Sequence, residues 1–369
     1  MVRMQTGIEQ IHKTLEILAE SFQKFLYEDD ETFLKNMQSK SLAGDDISHY
    51  QHWEWTQGVG LYGIWQLYEV TGEKAYLSLL EKYYDREITN GLPARNINTV
   101  APLLTLSLLI REKPNRKWQQ ICHDWAESIM KDFPRTQEGG LQHRTSDSEN
   151  TQELWDDTLF MTDLFLASMG ELEDNEIYRN EALYQFLVHM KYLTDKKTGL
   201  LYHGWTFLEK SNFANAFWGR GNCWFTVAVP EMLSIAKVPE ADRRYLIQAL
   251  GAQIETLARM QDESGMWHTL VDDPTSYLET SATCGFGYGI LKAVRMGLVD
   301  SKYKQTGMNA LLSVLEQIAP DGTVGQVSYG TPMGRESKDF YKQIEIKPMP
   351  YGQALAMLYL LEVLYAQEQ

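Results

Sequence analysis

The sequence predicts an all-α protein in which six helical hairpins close into an (α/α)6 barrel. Apolar residues recur at helical spacing in many windows, long runs of strand-forming Val, Ile and Thr are missing, and short glycine turns repeat along the chain. We expect residues 1–369 to form a single domain, because no low-complexity or Pro/Ser-rich linker divides them. An open helical solenoid is the alternative, but neither end of the sequence resembles the polar capping repeat that a solenoid needs.

Apolar spacing locates individual helices. Residues 8–18, 61–68 and 246–257 each place apolar side chains three or four positions apart, which predicts an amphipathic or buried helix. Two further windows, 155–166 and 353–361, are apolar nearly all round. A helix of that kind has no solvent-facing side, so we assign these two to the inner ring of the barrel.

A short turn containing Asp or Glu and Gly follows each of four helical windows. The last glycines of these turns are Gly140, Gly199, Gly265 and Gly322, which lie roughly 60 residues apart. A repeat of this length holds two helices, so a chain of 369 residues accommodates about six hairpins. In a closed ring, one loop from each hairpin reaches the same face. We expect a concave binding site there.

The charge balance restricts the partners. The chain has 34 Lys and Arg against 50 Asp and Glu, a formal net charge of −16. Such a surface repels nucleic acid and anionic membranes, so we predict neither as a partner. The most apolar segment is too short for a membrane span. Cys122, Cys223 and Cys284 show no CxxC spacing, which predicts a cytoplasmic location and no metal cluster. We expect a monomer or a weak homodimer.

Residues 154–161, LWDDTLFM, carry the most informative pattern. Asp156 and Asp157 stand between Trp155 and an apolar helix. Burial beside a tryptophan raises the pKa of a carboxyl group and favours a general acid. The alternative is that the aspartates cap the helix and interact with its dipole, which lowers the pKa. One aspartate can also cap the helix while the other performs chemistry.

A second dense motif is FWGRGNCW, residues 217–224. Arg220 offers a planar fork suited to a carboxylate, and Trp218 and Trp224 offer flat faces on which a sugar ring can stack. Asn222 lies between them. The alternative is a glycine-rich turn before a helix, with both tryptophans in the core.

Two histidines occupy matching positions of the repeat. His143, followed by Arg144, comes after the turn at Gly140, and His203 comes after the turn at Gly199. We therefore place both on the predicted loop face. The other six histidines are assigned to structure or surface. Trp55 and Asn98 open two early helices, where their side chains serve equally well as sugar contacts or as helix caps.

Several common catalytic signatures do not occur in the sequence. It has no GxSxG elbow, P-loop or HExxH, and no paired Cys/His metal spacing. We therefore expect carboxylate acid–base chemistry with no cofactor and no metal.

Together these motifs resemble the unsaturated rhamnogalacturonyl hydrolases, glycoside hydrolase family 105. The matching segments follow the family's order and cover most of the chain: WTQGVGLYG (55–63), LWDDTLFM (154–161), KTGLLYHGW (197–205), FWGRGNCW (217–224) and PYGQALAM (350–357). The family's fold is an (α/α)6 barrel, which agrees with the repeat count. The resemblance implies removal of a 4,5-unsaturated uronic acid from the non-reducing end of lyase-generated oligosaccharides. The implied reaction hydrates the C4=C5 bond, and the implied substrate is an unsaturated rhamnogalacturonan disaccharide.

The resemblance also implies residue roles. Asp157, the aspartate just before Thr in the motif, is the implied acid and base, with Asp156 as a neighbour that caps or orients. Arg220 is implied to meet the uronate carboxylate, while Trp218 and His203 line the ring-binding subsite. The full set of implied substrate-binding residues is Trp55, Asn98, His143, Arg144, Trp155, His203, Trp218, Arg220, Asn222 and Trp224.

One segment departs from a related family. The unsaturated glucuronyl hydrolases, family 88, use a second essential Asp on an earlier inner helix, whereas the comparable region here reads Asn96-Ile97-Asn98. This difference argues against chemistry that needs two acids. Other hypotheses remain open at this point: an unsaturated glucuronyl hydrolase acting on another uronide, a sugar epimerase, an inverting glycosidase, and a non-catalytic carbohydrate-binding barrel.

Overall fold

The computed structural model describes residues 2–29, 31, 34 and 47–368, and in this part of the chain six helices form a closed inner ring. In ring order they are α2 (Trp55–Thr71), α4 (Ile97–Glu112), α6 (Leu164–Leu172), α8 (Gly219–Ile235), α10 (Thr280–Arg295) and α14 (Pro350–Glu368). Each contacts the next, and α14 packs against α2 to close the ring. The predicted all-α (α/α)6 barrel is confirmed, and the open solenoid is excluded.

An outer layer of helices surrounds this ring, each packed against an inner helix. These are α1 (Val2–Phe25), α3 (Lys74–Asn90), α5 (Arg116–Lys131), α7 (Glu176–Leu193), α9 (Glu240–Met260) and the broken pair α11 (Lys304–Asn309) and α12 (Leu311–Glu316). Helix α1 packs against α14, so the first and last helices of the chain are neighbours. Among the residues described, no helix combines the length and apolar content needed to cross a bilayer.

Sequence pattern explains which helices are inner and which are outer. Every residue from 57 to 64 in α2 is buried, as expected for an inner helix surrounded by protein. Helix α5 instead buries one stripe, including Trp118, Cys122, Trp125 and Ile129, at a spacing of three and four residues. Its remaining positions face solvent. The windows 8–18 and 246–257 therefore lie in outer helices, whereas 61–68 and the uniformly apolar windows lie at inner-ring positions.

The connections differ at the two ends of the barrel. From an inner helix to the next outer helix they are short, as between Thr71 and Lys74. From an outer helix to the next inner helix most are long, and they include the predicted glycine turns. At those turns Gly139, Gly199, Gly265 and Gly322 have φ between 74° and 84°, a conformation that glycine adopts without a steric penalty. The first turn uses Gly139 for this conformation, one residue earlier than the expected Gly140.

Two of the long connections pair with each other. Strand β1 (Glu153–Trp155) lies antiparallel to β2 (Gly204–Thr206), with Trp155 opposite Gly204. The last connection, residues 317–349, contains one short helix, α13 (Asp339–Lys342). All these segments lie at the end of the barrel where the inner helices begin, and they enclose the site described below.

The ring interior also holds a buried charged network. The Glu231 carboxylate lies 2.5 Å from the Lys292 ammonium and accepts hydrogen bonds from the hydroxyls of Tyr62 and Tyr288. All four side chains are nearly or fully buried. Because every member of the network has a partner, the cost of desolvating the ion pair is offset.

Candidate active site

The two aspartates lie in a turn between strand β1 and helix α6. The turn leads into a π-helical segment, Leu159–Asp163, which continues into α6. Such widened turns are rare and occur often at functional sites. Neither carboxyl oxygen of Asp156 has a hydrogen-bond partner in the protein, so the helix-capping alternative does not hold for this residue.

Strand pairing brings His203 to Asp157. The Asp156 N–H donates to the His203 carbonyl at 3.1 Å, extending the β1–β2 pairing by one residue. His203 Nε2 then lies 3.6 Å from Asp157 Oδ2. The His203 side chain is 2% exposed and that of Asp157 is 17% exposed, so this carboxyl group opens to the pocket while its histidine neighbour stays covered.

The electrostatic environment separates the two aspartates. Burial alone would raise the pKa of Asp157, but the hydrogen-bonding and charge effects of His203, with the charges of His143 and Arg220, hold that pKa below its ordinary value. Burial, followed by repulsion from Asp157, raises the pKa of Asp156 well above its ordinary value. The elevated pKa expected from burial therefore belongs to Asp156, and the expectation was wrong for Asp157. Adjacent residues with pKa values pushed apart are typical of acid–base sites.

The position of Asp156 depends on a glycine. A Cβ atom placed on Gly221, in the first turn of α8, would lie 2.4 Å from Asp156 Oδ2 and 2.8 Å from its Cγ. Only a residue without a side chain allows the carboxyl group to approach this backbone so closely. The FWGRGNCW motif therefore serves the aspartate pair directly, through its second glycine.

Aromatic rings surround the Asp157–His203 pair. The His143 ring stacks on Trp155 with centroids 4.5 Å apart, and the His203 ring meets Trp155 at 5.1 Å and Trp218 at 4.3 Å. Burial lowers the pKa of His143 to about 4, so this ring is neutral at pH 7. The two histidines at matching positions of the repeat thus both contact Trp155.

A second aromatic group lies beside the first. Trp55 stacks on Tyr351 at 4.6 Å and meets the edge of Trp224 at 6.2 Å. Trp224 also contacts Phe160, one turn after Asp157, at 5.2 Å. The buried indole N–H of Trp224 has no hydrogen-bond partner in the protein. Buried donors are nearly always satisfied, so this N–H is available to a ligand or to water.

Arg220 has a structural role. Its Nη1 donates to Ser281 and to both oxygens of Ser328, and its Nη2 donates to the Tyr329 carbonyl and the Thr331 hydroxyl. The side chain is 1% exposed. Its terminal nitrogens are thus engaged by the 317–349 connection, which gives Arg220 a role as an anchor. The predicted contact with a uronate carboxylate stays a prediction.

Asn222 is also engaged by the protein. Its side chain accepts from the Leu201 N–H at 2.8 Å and donates to the Leu201 and Trp218 carbonyls. It is fully buried. Asn222 therefore ties the start of α8 to the segment that carries His203, and it acts on the site through that segment.

Arg144 and Asn98 lie at the edge of the candidate active site. Arg144 forms a partly exposed ion pair with Glu149 at 3.2 Å, while its carbonyl accepts from the Ile97 N–H. Asn98 lies in the first turn of α4, where it interacts with Glu54. No hydrogen bond or ion pair joins either side chain to Asp157 or His203.

Three residues that matter here were missed by sequence reasoning. Tyr341 contacts His203 from 138 positions away, and no local pattern signals such a contact. Glu54 caps α2, and burial raises its pKa to about 7. It directly precedes Trp55, and its type alone does not distinguish a capping residue from a surface carboxylate. The role of Gly221 depends on a packing contact that spacing cannot reveal.

One cluster in the described part of the chain has the spacing of a cation site. Asp156, Asp157 and His203 each offer a ligand atom, and these atoms lie within 4.8 Å of one another. A carboxyl group must lose its proton before it ligates a metal, and the raised pKa of Asp156 opposes that loss. The donor set is therefore a poor fit to a cation, and we assign it to proton chemistry.

Comparison with known proteins adds independent information. The family model described as Glycosyl Hydrolase Family 88 matches residues 30–367. A Bacillus subtilis (strain 168) protein named "Unsaturated rhamnogalacturonyl hydrolase YesR" is 33% identical over 320 residues, covering 86% of this chain and 91% of the relative.

Solved structures agree with these sequence matches. A Klebsiella pneumoniae protein described as a possible member of the GH105 family is 44% identical, with a TM-score of 0.89, covering 95% of this chain and 93% of that one. A glycoside hydrolase from family 105 of C. acetobutylicum ATCC 824 is 25% identical, with a TM-score of 0.77, covering 90% and 99%.

Proposed function

The chain belongs to the glycosyl hydrolase family 88 and family 105 group, and on that basis we propose that it removes a 4,5-unsaturated uronic acid by hydration, with Asp157 as acid and base. It is a glycosidase acting on unsaturated uronic-acid oligosaccharides. The substrate we propose is an unsaturated rhamnogalacturonan disaccharide, because the Bacillus subtilis relative named for that specificity covers most of the chain.

One observation carries the proposal. Asp157 is a partly exposed carboxyl group among buried polar atoms that have no protein partner: its own Oδ2, His203 Nε2, both oxygens of Asp156 and the indole nitrogen of Trp224. Leaving such atoms unpaired is costly in a structural core. Their occurrence at the start of α6 and α8 and in the segment after Gly199 supports a site built for a polar ligand that reacts with Asp157.

The proposed reaction begins with proton transfer to carbon. The Asp157 carboxylic acid gives its proton to C4 of the double bond, and positive charge develops at C5, where the ring oxygen stabilises it. Water then adds to C5 and gives a proton to the Asp157 carboxylate, which restores the acid. The resulting hemiketal opens to a ketone, and the hemiacetal left at C1 releases the neighbouring sugar. The sum is one water consumed for one glycosidic bond broken.

Asp157 must be protonated for the first step, although its pKa lies below the ordinary value. We propose that the bound substrate raises this pKa. A uronate carboxylate bound nearby is a like charge, and it raises the pKa of a neighbouring carboxyl group. The low pKa favours the carboxylate needed for the second step, so one residue serves both halves of the reaction.

The aromatic groups support a sugar-ring subsite. We propose that the ring stacks among Trp155, Trp218 and His143, while Trp55 and Trp224 line the adjacent wall. Asn98 and Arg144 lie at the edge and are proposed to meet the substrate there. Arg220 and Asn222 are proposed to act through the segments that they hold. The cytoplasmic location and the state of monomer or weak homodimer stay predictions.

The direct test follows the absorbance of the C4=C5 double bond in the substrate. The protein is mixed with an unsaturated rhamnogalacturonan disaccharide, and the ultraviolet absorbance of the C=C bond is followed. We expect this absorbance to disappear as the neighbouring sugar is released. Turnover of a panel of unsaturated uronides with other aglycones then shows which aglycone the enzyme prefers. Persistence of the absorbance with every member would overturn the proposal.

Asp157→Asn provides the matched variant. It keeps the side-chain shape but cannot cycle a proton, so turnover should fall by about 100-fold or more while binding by calorimetry is retained. An epimerase would leave the double bond intact, and a binding protein would be indifferent to the substitution. Full turnover by the folded variant would assign the acid role to another residue.

A further inference from the structure

We propose that Tyr341 is a positioning residue that fixes the tautomer of His203, so that the Nε2–H of the ring faces Asp157. The inference rests on the proposed role of Asp157 and extends it. Tyr341 lies in helix α13 of the last connection, and its hydroxyl oxygen is 2.6 Å from His203 Nδ1.

The hydrogen-bond donors around Tyr341 decide the direction of this contact. The backbone N–H of Gly334 donates to the Tyr341 hydroxyl oxygen at 3.0 Å, so that oxygen already serves as an acceptor. Its single O–H can then donate to His203 Nδ1, whereas the sulfur of Met333, at 3.8 Å, is a weak acceptor. The distance of 2.6 Å suits an O–H donor. A ring that accepts at Nδ1 carries its proton on Nε2.

Burial favours the neutral form of both groups. Burial lowers the pKa of His203, although the hydrogen bond and charge of Asp157 act in the opposite direction. Burial also raises the pKa of Tyr341, so its hydroxyl keeps its proton. A neutral imidazole has one N–H only, and the partner at one nitrogen therefore determines what the other nitrogen offers.

The connection that carries Tyr341 is held from several sides. Arg220 binds it at Ser328, Tyr329 and Thr331 through the hydrogen bonds described above. The Tyr277 hydroxyl donates to the Tyr341 carbonyl at 3.2 Å. These contacts fix the backbone ahead of the tyrosine and at the tyrosine itself. The anchored backbone of the last connection therefore holds the Tyr341 hydroxyl beside His203, which a positioning residue requires.

The tautomer of His203 affects the carboxyl group of Asp157. With its proton on Nε2, His203 presents a donor to Asp157 Oδ2 across 3.6 Å, slightly longer than a hydrogen bond. A donor in this place stabilises the carboxylate and prepares it to take a proton from water. The other tautomer would present a lone pair to the carboxylate and repel it. The titratable and charged groups that act on the pair from the surrounding elements are Asp156, His143, Glu153 and Arg220.

The first experiment measures the tautomer without substrate. Enzyme labelled with 15N-histidine is studied by NMR near pH 7, and the His203 signals are identified by their loss in His203→Gln. We expect Nδ1 to resonate as an unprotonated nitrogen and Nε2 as a protonated one. A protonated Nδ1 would overturn the inference, whatever the enzyme's activity. An inactive protein with the expected tautomer would overturn the proposed function instead.

The second experiment removes the hydroxyl. Tyr341→Phe is compared with Tyr359→Phe, which also removes one buried hydroxyl hydrogen bond, to the Gly307 carbonyl, but does not contact the site. Tyr341→Phe should move the Asp157 limb of the kcat/KM profile to higher pH by about one unit, because the donor to the carboxylate is no longer fixed. Tyr359→Phe should leave the limb in place. Coinciding profiles would overturn the inference, and if Tyr341→Phe fails to fold, the NMR result decides alone.

Discussion

Replacing Gly221 by Ala tests whether the close approach of Asp156 to helix α8 supports catalysis. The added Cβ atom would lie 2.4 Å from Asp156 Oδ2, whereas ordinary contact begins at 3.4 Å. The carboxyl group must therefore move by about 1 Å, and because it is fully buried, its packed neighbours resist that movement. The movement passes to Asp157, its neighbour in the same turn.

The expected magnitudes follow from this displacement. Forcing a methyl group into a packed interior costs about 1–3 kcal/mol of unfolding free energy. A shift of about 1 Å at a reacting group can lower turnover by about 100-fold. We therefore expect Gly221→Ala to lose far more in kcat than in stability, because the folded barrel persists while the acid is misplaced.

The assay is steady-state turnover of the unsaturated disaccharide, read beside a thermal unfolding curve. Gly251→Ala is the matched control. Gly251 lies inside helix α9 with no atom within 4 Å of the added Cβ, so alanine there should stabilise the protein by about 0.5–1 kcal/mol and leave kcat unchanged. Wild-type kcat in folded Gly221→Ala would refute the argument that Asp156 positions Asp157.

Four further outcomes are expected. The lowered pKa of Asp157 means that kcat/KM, which reports the free enzyme, should decline at lower pH than kcat, because the proposed binding of a uronate raises that pKa in the complex; identical profiles would contradict this. The folded-state pKa of Glu54 is about 7 against an ordinary value of 4.5, so its stabilising effect is complete below pH 4.5 and lost as pH rises through 7. Glu54→Gln should therefore remove about 3 kcal/mol of pH dependence from urea unfolding between those values, and an unaltered slope would count against the burial argument. Glu231→Gln leaves Lys292 buried without its counter-charge and should cost about 3–5 kcal/mol in urea unfolding while turnover per folded molecule is kept; a loss below about 1 kcal/mol would show that the network is not needed. Treatment with EDTA should leave turnover unchanged, because the cluster around Asp156 holds a proton; loss of activity that added metal restores would reassign the site.

The fold could be predicted from sequence because its signals are local and repeated. Helical spacing and the glycine turns are each contained within a few residues, and their roughly 60-residue period gave the number of hairpins. The same period placed His143 and His203 at equivalent points, and the structure brings both to Trp155. A site residue that occupies a repeat position is therefore visible in the sequence.

The rest of the site depends on contacts between distant segments. Tyr341 reaches His203 across 138 residues, and the low pKa of Asp157 results from neighbours on other elements. Arg220 illustrates the same limit. Its residue type suggested a substrate carboxylate, but its burial and its five hydrogen bonds to Ser281 and the last connection could not be read from the motif. Residue types indicate which chemistry a side chain can perform, but its hydrogen-bond partners are known only from the folded structure.

The anchoring of the last connection by Arg220 determines how the substrate enters. Lifting residues 328–331 would strip a buried guanidinium of most of its hydrogen bonds, each worth about 1.5–3 kcal/mol to a charged group. Opening of that wall is therefore too rare to serve each catalytic cycle. We therefore expect substrate and products to pass the site without movement of this wall.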